Sequence, residues 1–181
     1  MKTPIDALHE DFKGVLARLG GDMSLHNSVS DIFRKFLLLA AASYFEKHLT
    51  ETVVDFAKKS TSENHLLPHL VRETAVKRQY HTWFVWERAN ANKFFSLFGK
   101  DFRAHMEKEL GEKREDIKDA VKAFMEIGRE RNRLAHEGIV GCSFEKTSDE
   151  VYATYERALR FVEWFPVALA EFAENPSPPA E

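Results

Sequence analysis

The chain has 181 residues, enough for one domain with a sizeable core and too few for two comfortable ones. Low glycine (8) and proline (6), abundant phenylalanine (15) and 30% charged residues point to a soluble helical protein and away from a disordered or sheet-rich one. A formal net charge of -3 argues against coating nucleic acid by bulk electrostatics, so any such contact must come from a local site.

In chain order, the first helix is predicted from about Ile5 to Leu19, stopping at Gly20 and Gly21. Its N-terminal stretch lacks the continuous apolar run of a signal peptide. The longest apolar run, "FLLLAAASYF", is about half the roughly 20 residues a membrane span needs. Cys142 has no second cysteine to pair with, and a cytoplasmic location with no membrane contact is expected. The second helix is predicted to start after Asn27 and Ser28, either of which can cap it. It carries apolar residues at helical spacing from Ile32 to about Ala57, on the order of 40 Å, as the long central helix. "STSENHLLPHLVRETAVKRQ" reads as helical, with Pro68 near its start, where proline is tolerated. "WFVWERANANKFFSLFGKDF" reads as a turn around Asn90 and Asn92 leading into a short helix.

The next long helix runs from near Arg114 to a break at Gly138, and "GIVGCSFEK" is a short loop or hairpin. "TSDE", Thr147 to Glu150, forms a capping box that opens the last helix. That helix carries Val151, Tyr155, Leu159, Val162 and Phe165, and Pro166 is expected to kink it. The Pro-rich, acidic tail "ENPSPPAE" is expected to be disordered. With no repeat and no strand alternation, an all-α bundle is predicted: 1–28 as an N-terminal helix and turn, 29–173 as the helical domain, 174–181 as the tail.

One stretch, "RETAVKRQYHTWFVWERANANK", is locally basic with aromatics interleaved. It fits base stacking, with Arg78 and Arg88 as candidate RNA contacts, and it equally fits Tyr80, Trp83, Phe84 and Trp86 as core flanked by a solvated rim. Two charges stand out more sharply. On the helix ending at Gly138, Ile117, Ala120, Val121, Phe124, Ile127, Gly128, Leu134 and Ala135 share one side, and Glu126, Glu130, Arg133 and Glu137 the other. Arg131 breaks the pattern by falling on the apolar side, with Asn132 and His136 along its edge. On the second helix, Leu39, Ala42, Glu46, Leu49, Val53 and Phe56 form a seam in which Glu46 stands where a leucine would be expected. An unpaired buried charge is costly, so Glu46 is expected to face Arg131, or Asn132 and His136. A structural ion pair is one reading of that meeting.

Chemistry is the other. A histidine can act as general base on a 2'-hydroxyl or as general acid toward a leaving 5'-oxygen. An arginine fork suits a crowded phosphorane, and a glutamate can orient either group; none of this needs a metal. Arg131 and His136 are five residues apart, about 140° on a regular helix. They converge only if the helix loosens before Gly138 or a second subunit completes the site. Arg129, Asn132 and His136 share an edge more naturally, which makes Arg129 a second candidate phosphate contact.

"RNRLAH", Arg131 to His136, resembles the signature of HEPN-domain ribonucleases: an arginine, a polar residue and, four to six residues after the arginine, a histidine near a helix end. From about Ser30 to Phe172 the chain resembles the RiboL-PSP-HEPN branch, with "SYFEKHL" at Ser43 to Leu49 supplying an acid and a Trp86 to Gly99 segment before the signature helix. The resemblance implies a helical bundle that dimerises with its signature helices near a two-fold axis to form a composite RNA-cleaving cleft. Arg131, Asn132 and His136 are then the core site and Glu46 the supporting acid. Arg133 joins Arg78 and Arg88 as a candidate RNA contact. No cofactor, metal or DNA partner is implied. A toxin or antiphage effector restrained or activated by a partner protein is the expected setting, and a HEPN module without activity is the alternative. A helical adaptor unrelated to RNA would instead show a buried His136 and no groove beside Arg131.

The remaining features point nowhere stronger. His65 and His69 have a zinc-like spacing but no clear third ligand. His26, His48, His81 and His105 read as surface or packing residues. Cys142 has no matched base, and no phosphate-binding glycine loop is present.

Overall fold

Thr3 opens the first helix, α1 (Pro4–Arg18), through a capping box: its N–H donates to Asp6 at 2.6 Å, and the Asp6 N–H donates back to its hydroxyl at 3.2 Å. The structure, a computed structural model, describes residues 2–61 and 66–175. Helix α2 (Met23–Ser60) begins earlier than the sequence reading placed it. Asp22, directly after the glycine break, accepts from the Leu25 N–H at 3.0 Å and so caps the helix. Ser28 already rides on the helix, with its hydroxyl donating to the Ser24 carbonyl at 3.0 Å, the back-bond of a mid-helix serine. At 38 residues α2 is about 57 Å long.

The next segment is helical from α3 (Leu66–Val71) into a π-turn at Arg72–Val76, followed by a 3-10 turn at Tyr80–Thr82. Helix α4 (Asn92–Ser96) matches the predicted short helix, but a further helix, α5 (Lys100–Glu112), follows it. Gly99, at φ +105, breaks the chain between them. The apolar stripe of α5 is one residue wide, Phe102, Met106 and Leu110, too narrow for periodicity to reveal. Helix α6 (Glu115–Glu137) and α7 (Ser148–Glu174) lie where expected, with the Thr147 and Glu150 capping box in place. The connection 138–147 is a loop rather than a hairpin. Helix α7 continues through Pro166, which leaves the Val162 carbonyl without its usual donor. The described residues contain no strand, and of the tail only 174 and 175 are among them.

The largest helix interface is α6 on α7, followed by α2 on α7, α1 on α2 and α2 on α6. Phenylalanine supplies much of the filling: Phe45, Phe94, Phe95, Phe102, Phe124, Phe161 and Phe165 are fully buried. Helix α1 shares this core through Ile5 and Phe12, whose ring stacks on Phe33 of α2. A polar layer also ties α1 to α7: the Tyr155 hydroxyl donates to Thr3 at 2.8 Å, the Tyr152 hydroxyl donates to Asp6 at 3.1 Å, and His9 Nε2 lies 2.8 Å from Asp149. Tyr80, Trp83, Phe84 and Trp86 are all buried, so of the two readings of the basic and aromatic stretch the core reading holds. No helix among the described residues is long and apolar enough to cross a membrane.

Candidate functional site

Gly128 determines how the site is built. A Cβ placed there would lie 1.9 Å from Trp86 Cζ3 and 2.1 Å from Cε3, so the indole occupies the space a side chain would need. With that ring seated on α6, Trp86 Nε1–H donates to the His81 carbonyl at 3.1 Å and holds the Tyr80–Thr82 turn against the same spot. Trp83 Nε1–H fastens the other side of the turn to the Ala75 carbonyl at 3.0 Å.

The result is a cleft between α2, α6 and this turn. Its floor is apolar, formed by Phe45, Phe124, Ile127 and Trp86, and its rim carries Glu46, His81, Arg131 and Asn132. The cavity itself measures about 10 Å³, near the threshold for one water. A ligand larger than that must therefore engage the rim from outside.

Three of the predicted residues meet here. Glu46 is half-buried and, among the described residues, has no hydrogen bond or ion pair from its carboxylate. Arg131, also half-buried, donates from Nη1 to Asn132 Oδ1 at 3.1 Å and has no ion pair among those residues. The expected structural pair between Glu46 and Arg131 is thus not formed. Because the cleft opens to solvent at this seam, water offsets the cost of the carboxylate and no partner is required. Both charges act on the Tyr80 hydroxyl: burial first pushes its pKa far up, the Glu46 charge adds to that, and the Arg131 charge opposes it. Tyr80 remains a neutral phenol.

His136 is not brought into this cleft. Helix α6 stays regular through Glu137, so the angular offset from Arg131 persists, and His136 is exposed on the last turn. Ala135, expected on the apolar side, is exposed there too. Arg129 points to solvent, with Nε 3.5 Å from Glu130. Arg133, a candidate RNA contact in the sequence, has an engaged guanidinium, which donates to Glu130 at 3.0 Å and to the Ser143 carbonyl at 2.9 Å, with Glu137 at 3.6 Å. It ties the 138–147 loop to α6. Arg78 and Arg88 are exposed outside the cleft, and Arg78 holds a left-handed backbone, φ +62.

His81, which the sequence marks only as a surface or packing histidine, lines the rim with Glu46, Arg131 and Asn132. Nothing local marks it. Its place follows from Trp86 fitting against Gly128. Cys142 is buried, and burial pushes its thiol pKa up, away from the thiolate a nucleophile needs. Of the two zinc-spaced histidines, His69 is exposed on α3 and His65 lies outside the described residues. The two conditions for an adaptor unrelated to RNA, a buried His136 and no groove beside Arg131, are both unmet.

Neither a curated protein nor a solved structure matches the chain. A family model does, across the end of α1 and almost all of α7: residues 15–170 match RiboL-PSP-HEPN, and the chain belongs to that HEPN-domain family.

Proposed function

We propose that the protein is a metal-independent endoribonuclease of the HEPN class, acting as a homodimer and serving as a toxin or antiphage effector under the control of a partner protein. Family membership points to RNA cleavage or RNA binding. The observation that carries the catalytic reading is a carboxylate, a guanidinium and an amide gathered on one solvent-open rim, with neither charge engaged in an ion pair among the described residues.

In this reading the Arg131 fork and the Asn132 amide hold the scissile phosphate and stabilise the charge that builds on it. The 2'-oxygen attacks phosphorus, the P–O5' bond breaks, and the products carry 2',3'-cyclic phosphate and 5'-hydroxyl ends. His136 moves one of the two protons. Because it sits outside its own protomer's cleft, it serves the cleft of the second copy. Glu46 orients the guanidinium or the imidazole from across the rim, and Arg129 offers a further phosphate contact from the exposed side of α6.

The test is one assay of wild type, Arg131→Ala and His136→Ala on total RNA in EDTA. Wild type is expected to cleave, with each variant reduced by about 10²-fold or more while folded and dimeric. RNA left intact by all three, with no activation by a cellular partner, removes the catalytic reading. The exposure of His136 away from the cleft favours one alternative, a HEPN module that binds RNA or a protein without cleaving. Intact RNA bound equally by wild type and His136→Ala would select it.

A further inference from the structure

We propose that His81 is a second proton-transfer residue of the rim, acting on the RNA together with His136. This rests on the ribonuclease reading and deepens it.

Phosphodiester cleavage by a 2'-hydroxyl needs two proton movements. As the O2'–P bond forms, the hydroxyl proton passes to a base. As the P–O5' bond breaks, the electron pair stays on O5', which takes a proton from an acid. Among the rim groups, a guanidinium offers donors but no acceptor, an amide neither gives nor takes a proton, and a carboxylate can only accept. Tyr80 beneath them is buried and held neutral. His81 is the one rim residue whose side-chain type both gives and takes a proton near neutral pH.

Its position is also built rather than incidental. Two indole N–H groups anchor the turn around it, from Trp86 to its own carbonyl and from Trp83 to Ala75. The Trp86 ring fits only because position 128 has no side chain. The left-handed backbone at Arg78 leads the chain into that turn. The main chain is thereby held while the imidazole stays exposed, which is the arrangement that a group meeting substrate from solvent requires.

The experiment compares wild type, His81→Ala and His81→Gln for kcat and KM on a short RNA from about pH 5 to about pH 8, with melting temperature as the control for folding. Both variants are expected to keep the wild-type melting temperature, to lose about 10²- to 10⁴-fold in kcat, and to lose one limb of the pH profile. Loss of the acidic limb assigns His81 as the base, and loss of the alkaline limb assigns it as the acid. Variants within about threefold of an active wild type, with an unchanged profile, overturn the role of His81 alone. A wild type that cleaves nothing overturns the ribonuclease reading and this role with it.

Discussion

Gly128 is the residue on which the geometry of the rim depends most directly. It lies one turn before Arg131 and Asn132, and its missing side chain is filled by Trp86, which in turn fixes His81. Gly128→Ala therefore cannot behave as a mild helix-strengthening change, although alanine favours helices. The added methyl meets the indole face, and relief requires Trp86 to leave its hydrogen bond. The expected cost is about 1–3 kcal/mol, read as a melting temperature lower by about 2–4 °C for each kcal/mol together with a change in tryptophan fluorescence. An unchanged melting point would mean that Trp86 moves aside freely. Glu46 and Arg131 differ in kind from Gly128: neither has an ion-pair partner to lose among the described residues.

Among elements, α1 is held by two kinds of contact that respond differently to pH. The apolar part, Ile5 and Phe12 against α2, does not titrate. The polar part runs to α7, where His9 stacks on Tyr152 at 4.0 Å and bonds Asp149 at 2.8 Å. The hydrogen bond with His9 holds the Asp149 carboxyl below its ordinary value, against a smaller opposing effect of burial. A carboxyl depressed in the folded state adds stability above its unfolded pKa of about 3.9, and that stability is lost as pH falls through the lower folded value. Amide hydrogen exchange in α1 is therefore expected to rise below about pH 4 before the rest of the core opens. Asp149→Ala should show the faster exchange at neutral pH; equal protection in the variant would show that apolar contacts alone hold α1. Just before α7, Arg133 performs the comparable fastening of the 138–147 loop to α6, which accounts for a basic residue of the motif that does not reach the cleft.

At the scale of the whole molecule, the proposed reaction requires His136 and the rim to act together. They lie on one helix yet face different surroundings, because α6 remains regular to Glu137. If Arg131 of one copy works with His136 of another, each single variant has no complete site, while a mixed dimer of Arg131→Ala and His136→Ala has one. Mixing the two inert variants under conditions that exchange protomers is expected to restore cleavage. Absence of rescue after exchange, shown by a tagged subunit, would reject a shared site.

Much of this protein was legible in local chemistry. The capping box at Thr147, the stripe along α6 and the inward turn of Arg131 each depend on residues within a few positions of one another, and helical geometry maps such spacing directly onto a face. The motif "RNRLAH" and the acid at position 46 also needed no structure to be noticed. Spacing did not carry the start of α2, because Asn27 and Ser28 are equally good caps until Asp22 takes the role, nor α5, whose apolar stripe is a single residue wide. Only tertiary structure decided what surrounds the charges: that Glu46 and Arg131 share a solvent-open rim without pairing, that Arg133 is tied to the Ser143 carbonyl, and that His81 reaches the rim. The reason is physical. Periodicity states which way a side chain points from its own helix, whereas its partners depend on how separate segments pack, here on an indole from one segment filling the gap left by a glycine on another.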